Sequence, residues 1–90
     1  MLINNVQDFE SALKNGPYAW PGGYPLFFIA EDGGVLSFKA AEEEQAEIRE
    51  AIQDDDTGSG WRVVAVDINY EDTALFCDHT GIIIESAYGE

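Results

Sequence analysis

The sequence predicts an α+β domain in which a small antiparallel sheet is covered by one long acidic helix, with a short helix near the N-terminus. Three observations support this prediction: apolar runs joined by glycine-containing turns, a long stretch free of glycine and proline, and a composition that is 46% hydrophobic and 12% aromatic. Because 90 residues of globular composition support one core, we expect residues 1–90 to form a single domain.

The first helix is predicted over about residues 6–15. Asn5 is a favourable N-cap, since its side chain can accept a hydrogen bond from a main-chain N–H of the first turn. Phe9 and Ala12 recur at the spacing of one helix face, and Gly16 follows the last turn, where glycine commonly ends a helix.

Residues 16–25 combine all three prolines of the chain with three large rings, Tyr18, Trp20 and Tyr24. Proline and glycine at this density are typical of a turn. We interpret the rings as a cover over one end of the core. The alternative is an exposed binding loop that uses the same three rings.

Two apolar runs, 26–30 and 34–38, flank a turn that contains Gly33, and they predict a β-hairpin. Residues 39–53 then lack glycine and proline and are rich in Ala, Glu and Gln, which predicts one continuous helix. At 100° per residue, Ala41, Ile48 and Ile52 fall on one side of this helix.

The side of the long helix opposite Ile48 is acidic. Glu43, Glu47, Glu50 and Asp54 fall within about 60° of one another on a helical wheel. The predicted helix therefore has one core face and one acidic face.

The third apolar region, residues 61–69, is rich in β-branched residues and is predicted to be the central strand, with Val64, Val66 and Ile68 on one face. A second hairpin is predicted from residues 75–77 paired with 81–85. The predicted sheet thus consists of two hairpins and a central strand.

Acidic residues outnumber basic ones by 18 to 4, and the net charge is −14. Eight of the acids lie between residues 42 and 56. This excess excludes a nucleic-acid or anionic-membrane binder of the usual basic kind. One cysteine excludes an internal disulfide, and the chain has no apolar run of membrane-spanning length, so we expect a cytoplasmic protein.

We find no pattern that indicates an enzyme or a cofactor. Cys77 and His79, the only residues of their types, are two positions apart but lack a third group to orient them. The paired glycines match no phosphate-binding fingerprint. A calcium loop that began at Asp54 would need a carboxylate at position 65, where the chain has Ala65. We therefore expect no enzyme activity, no cofactor and no metal.

Three stretches carry a family resemblance: WPGGYPLFFIAEDGGVL, WRVVAVDINYED, and LFCDH with the final ESAYGE. Between about Tyr18 and Glu90 the chain resembles a group of small uncharacterised proteins of phage and mobile elements. In that group the first hairpin ends in a C-x-x-C motif and the second contains another, which implies a four-cysteine zinc ribbon.

The positions that correspond to the four cysteines are Ser37, Ala40, Cys77 and Thr80. Neither serine nor alanine supplies a thiolate, so the resemblance implies a ribbon that has lost its zinc. We expect burial of apolar side chains to replace the stability that the metal would contribute. Those expected to be buried are Phe38, Ile82, Ile83 and Ile84.

The acidic helix has a charge density close to that of a nucleic-acid strand. If it continued to Asp56, residues 42–56 would occupy about 22 Å, or one net charge per roughly 3 Å, and one DNA strand carries a charge per about 3.4 Å. Such a surface could occupy a basic protein groove. The predicted partner-binding residues are Glu43, Glu47, Glu50, Asp54, Asp55 and Asp56.

Together, charge and resemblance predict an anti-defence inhibitor that binds a basic surface of a host nucleic-acid-binding protein, such as a CRISPR effector or a restriction enzyme. It would act by nucleic-acid mimicry or by steric block, without contacting nucleic acid or a membrane. A second hypothesis is an assembly module or homodimer that uses Tyr18, Trp20 and Tyr24. A third is a relic zinc ribbon that binds metal across two chains through Cys77 and His79. The sequence leaves monomer and homodimer open.

Overall fold

The computed structural model describes residues 2–19, 23–56 and 58–88, and within them three helices and a four-stranded antiparallel sheet confirm the α+β prediction. The elements in chain order are α1 (Val6–Asn15), β1 (Tyr18–Ala19), β2 (Tyr24–Ala30), β3 (Val35–Leu36), α2 (Phe38–Glu43), α3 (Gln45–Gln53) and β4 (Val63–Ile68). No helix in these described ranges is long and apolar enough to cross a membrane.

Helix α1 forms where the sequence predicts it. The Asn5 side chain accepts a hydrogen bond from the Asp8 N–H at 2.8 Å, which caps the first turn. Gly16 ends the helix at φ +91°, in a backbone region that favours glycine. Phe9 and Ala12 are buried, as their spacing predicts.

The centre of the sheet is β2 and not the 61–69 region that the sequence predicts. β2 pairs with β4 along Leu26–Ala30, with β3 near Phe28, and with β1 at its first two residues. On the other side of β4 the described residues show an isolated bridge between Ala65 and Leu2. The first hairpin is confirmed, although its second strand is short because α2 begins at Phe38.

A register shift in β4 changes which side chains face the core. Ile29 pairs with Ala65, but Ala30 pairs with Val63, so one extra residue is accommodated on β4. This bulge turns Val63 toward the core, and Val63 and Val66 are buried while Val64 is only partly buried. The predicted alternation of Val64, Val66 and Ile68 is therefore wrong at its first position.

The predicted long helix is two helices, α2 and α3, with a break at Glu44, where φ is −109° and ψ is 25°. The Gln45 side-chain amide donates to the Glu42 carbonyl at 3.0 Å, so a side chain competes for a main-chain acceptor at this point. The core face survives the break, because Ala41 and Ile48 are fully buried and Ile52 is partly buried against the core cluster.

The core is centred on Phe28 of β2. Its ring stacks on Phe38 of α2 at a centroid distance of 4.3 Å and contacts Phe9 of α1 at 5.4 Å. These three rings join α1 and α2 to the central strand, β2. Each is less than one-tenth exposed, which accounts for a large share of the hydrophobic stabilisation of so small a domain.

The second hairpin forms as a single antiparallel bridge between Phe76 and Ile83, closed by a turn over residues 77–81. Phe38 and Ile84 are buried, as the sequence analysis expects. Ile82 and Ile83 are 58% and 57% exposed, so the expectation that both are in the core is wrong. One bridge is too short a ladder to bury both faces of residues 81–85.

Candidate functional site

The acidic residues of 42–56 lie in three places rather than along one helix. Glu43 ends α2, Glu47 and Glu50 lie on α3, and Asp54–Asp56 follow the helix. Because the axis breaks at Glu44 and α3 ends at Gln53, the acids do not form one row along a continuous helix. The linear comparison with a nucleic-acid strand therefore no longer holds, although every one of these predicted partner-binding side chains is exposed.

Most of the carboxylates between residues 42 and 56 have no cation beside them. Within the described residues, both arginines are paired: Arg49 Nε lies 3.8 Å from a Glu10 carboxylate oxygen, and Arg62 contacts two acids. Neither lysine has a carboxylate oxygen within 4.0 Å among these residues. The acids that make no side-chain ion pair or hydrogen bond in this part of the chain are Glu42, Glu43, Glu47, Glu50 and Asp54.

Asp55 differs from its neighbours because Arg62 binds it. Arg62 donates to Glu31 at 2.7 Å and approaches Asp55 Oδ1 at 2.6 Å, which ties the loop after α3 to the first hairpin turn. The hydrogen bond that Arg62 donates to Glu31 is the main reason that the pKa of Arg62 is raised above its usual value. Asp55 also has φ +56°, a left-handed conformation that aspartate tolerates better than most residues. Asp55 therefore has a structural role.

Asp56 ends the acidic stretch in a loop. One of its carboxylate oxygens accepts the Gly58 N–H at 2.9 Å, and the other faces no cation among the described residues. Asp56 therefore remains available to a partner, together with Asp54.

The three predicted aromatic contacts separate in the structure. Tyr18 is 48% exposed and donates a hydrogen bond to Glu85 at 2.7 Å, which together with the Glu85 charge raises the pKa of Tyr18 above 10.0. Tyr24 instead meets Tyr70 and Tyr88, at ring-centroid distances of 5.7 Å and 6.0 Å. Trp20 lies outside the described residues. The rings of Tyr18 and Tyr24 thus do not form one cover over the core.

One cavity brings the two predicted partner-binding sets together. A groove of about 520 Å³ lies between the end of α1, the start of α2 and the second hairpin. Tyr18, Glu42 and Glu43 are all among its lining residues. The sequence analysis gave the acids and the aromatic residues as alternative partner-binding sets. The fold places one member of each set, Glu43 and Tyr18, in the same groove.

The four positions that the resemblance compares with zinc-ribbon cysteines, Ser37, Ala40, Cys77 and Thr80, also lie near one another. The Ser37 N–H donates to the Cys77 sulfur at 3.4 Å, and the Ser37 hydroxyl accepts from the Ala40 N–H at 3.1 Å. Burial raises the pKa of Cys77. Hydrogen bonds from the Thr80 hydroxyl and from the main chain of Ser37, His79 and Thr80 outweigh it and bring the pKa below 9.0. The residues just before α2 and the turn of the second hairpin therefore both donate hydrogen bonds to the Cys77 thiol.

The residues around Cys77 do not form a metal-binding site. Among the described residues no three His, Cys, Asp or Glu side chains come close enough to hold a metal ion. Cys77 is fully buried, whereas His79 faces outward, 3.6 Å from Glu44 and against the edge of the Trp61 ring. A metal shared between two chains through Cys77 and His79 would require the domain to open.

Asn69 is a structural residue that the sequence analysis missed. It is 3% exposed, and its side-chain amide donates to the carbonyls of Asp72, Ile84 and Glu85 while its oxygen accepts from the Asp72 N–H. These bonds hold the segment that carries Ile83 and Glu85 against the sheet. The only available signal was an asparagine directly after a strand, since asparagine side chains often bond to the main chain of a following turn.

Comparisons with protein-family models, with curated proteins and with solved structures find no significant match to this chain.

Proposed function

We propose that this chain is a non-enzymatic protein that binds a basic surface on another protein through its acidic surface, which we define as Glu42, Glu43, Glu47, Glu50, Asp54 and Asp56. The observation that carries the proposal is the absence of counter-charges beside these side chains within the described residues. The two arginines instead pair elsewhere, with Glu10, Glu31 and Asp55.

The energetic argument concerns repulsion that the fold leaves in place. Like charges one helical turn apart destabilise a helix by about 0.2–0.5 kcal/mol per pair. Glu47 and Glu50 are such a pair on α3, and Glu50 and Asp54 are another. A basic partner would convert this repulsion into attraction and accelerate encounter at low salt. The acidic surface is therefore better suited to a partner than to the stability of the isolated chain.

The specific form of the proposal comes from the resemblance to phage and mobile-element proteins. In that context the partner is a nucleic-acid-binding protein of the host cytoplasm, and the effect is anti-defence inhibition of a CRISPR effector or restriction enzyme. Because the acids occupy two helices and a loop, we favour steric block of a basic site over close imitation of a regular phosphate backbone.

Binding to purified CRISPR effector complexes and restriction enzymes at increasing salt tests the proposal. We expect at least one protein to bind at low salt and to release the chain as salt rises, because counterions screen exposed charges. Glu43→Lys, Glu47→Lys and Glu50→Lys, combined, should abolish binding and leave the fold and the oligomeric state unchanged. No binding at low salt, or binding that is indifferent to salt, would overturn it.

A second candidate function, self-assembly through tyrosines, is favoured by one observation. Tyr70 and Tyr88 are 49% and 64% exposed, and both rings contact Tyr24. Tyrosine clusters are frequent at the centres of protein interfaces. Light scattering over a range of protein concentration distinguishes this candidate, since only self-assembly predicts a dimer that Tyr88→Ser disrupts and that the three lysine substitutions leave intact.

A further inference from the structure

Apolar side chains from three elements line the groove of about 520 Å³. Leu13 lies at the end of α1, Leu26 on β2 and Phe38 at the start of α2. Ile83 from the second hairpin lines the same groove and is 57% exposed. An exposed isoleucine beside an apolar concave surface leaves hydrophobic area that a ligand could cover.

Acidic side chains also line the groove. They are Glu42, Glu43 and Glu85, and Lys39 is the one basic residue among the lining residues. Glu85 already accepts the Tyr18 hydrogen bond, but the side-chain carboxylates of Glu42 and Glu43 make no ion pair or hydrogen bond in the described part of the chain. Protein-binding patches usually combine apolar side chains with charged or polar ones, as the lining of this groove does.

We propose that this groove holds a short basic segment of the partner protein, with one apolar side chain against Ile83 and Leu26 and basic side chains against Glu42 and Glu43. This inference rests on the proposed function and specifies where on the chain the partner binds. Charge complementarity selects this occupant over a second copy of the chain, because two copies would bring together two domains of net charge −14.

Ile82 and Ile83 provide a matched pair for the test. They are adjacent, and their exposures of 58% and 57% are nearly identical, but only Ile83 is among the residues that line the groove. Replacing either by serine removes similar apolar area from the surface without changing the charge. Neither side chain is in the core, so both variants should fold.

The experiment is an NMR titration of the ¹⁵N-labelled chain with a short synthetic peptide of alternating lysine and leucine, at low salt. A second peptide with serine in place of leucine keeps the charge and removes the apolar side chains. We expect the lysine–leucine peptide to shift the amides of Leu13, Leu26 and Ile83. Ile83→Ser should weaken its binding about tenfold, since burial of one large aliphatic side chain contributes roughly that factor, and Ile82→Ser should not.

Three results would overturn the groove proposal. The first is that the Ile82 and Ile83 variants bind the peptide equally well, or that the two peptides bind the wild-type chain equally well, while the shifted amides are confined to residues 47–56. This result would place binding on the acidic surface outside the groove and would leave the proposed function standing. Concentration-dependent shifts at Leu26 and Ile83 without peptide would identify a second copy as the occupant. Binding of neither peptide would count against the groove and the proposed function together.

Discussion

The main-chain N–H of Ser37 donates a hydrogen bond to the sulfur of Cys77, 40 residues away in the chain, at 3.4 Å. Ser37 caps α2, and Cys77 begins the turn of the second hairpin. This contact links the start of α2, which forms one wall of the groove, to the hairpin, which forms another. One buried thiol thus connects two turns that the resemblance to zinc ribbons assigns to metal ligands.

Removal of the thiol should destabilise the domain. Cys77→Ala leaves the Ser37 N–H without its acceptor and creates a small void, so we expect the free energy of unfolding to fall by about 1–3 kcal/mol. Urea denaturation measures this. Cys77→Val keeps most of the volume but offers no acceptor, and wild-type stability of that variant would contradict a role for the hydrogen bonds.

The same thiol makes stability depend on pH. Its pKa in the folded state lies below 9.0, so between that folded value and 9.0 the unfolded chain binds more protons than the folded one. The contribution of Cys77 is therefore largest above pH 9.0 and is lost as the pH falls through the folded value. Urea denaturation of wild type and Cys77→Ala from neutral pH to 9.0 should show a widening difference; a constant difference would contradict it.

Asn69→Asp should destabilise the domain more than its small change in shape suggests. The substitution replaces the amide that donates to three carbonyls with a carboxylate oxygen that repels them. We expect a loss of about 2–4 kcal/mol in urea denaturation. Asp67→Asn, a nearby exchange at an exposed position, is the control. A loss within about 0.5 kcal/mol, as at ordinary surface sites, would show that the Asn69 network contributes little.

Glu50→Gln should stabilise the chain, because it removes a negative charge that lies about one helical turn from those of Glu47 and Asp54. We expect a gain of about 0.5 kcal/mol at low salt that disappears at high salt. Glu10→Gln is the matched control and should give a small loss, since Glu10 lies 3.8 Å from Arg49. If Glu50→Gln is neutral at low salt, the acidic surface carries no measurable repulsion.

The sequence predicts those helix and strand ends that depend on residues at or next to them, such as helix caps and turn glycines. Asn5 and Gly16 determine the ends of α1, and the turn at Gly33 determines the first hairpin. The break at Glu44 depends on a competition between the Gln45 side chain and a main-chain donor, which composition does not reveal. The bulge in β4 similarly depends on pairing with a strand more than 30 residues earlier.

The groove shows why the candidate site could be predicted only in part. Charge alone identifies Glu42 and Glu43 as exposed, and ring content identifies Tyr18 as a candidate contact. Their meeting with Ile83 at one cavity is a long-range property of the fold. Apolar composition favoured burial of Ile83, but a hairpin held by one bridge leaves that side chain at the surface.

Two charge-reversed variants of equal net charge test the central claim, that the acidic surface binds a basic protein. Glu47→Lys with Glu50→Lys reverses two acids of that surface, and Asp67→Lys with Glu71→Lys reverses two exposed acids elsewhere. The measurement is the Kd of each variant for the same CRISPR effector or restriction enzyme at low salt. We predict that the first pair weakens binding at least tenfold, the factor that corresponds to about 1.4 kcal/mol, and that the second changes it little. Equal weakening by both pairs would contradict the claim, because binding would then follow net charge and not this surface.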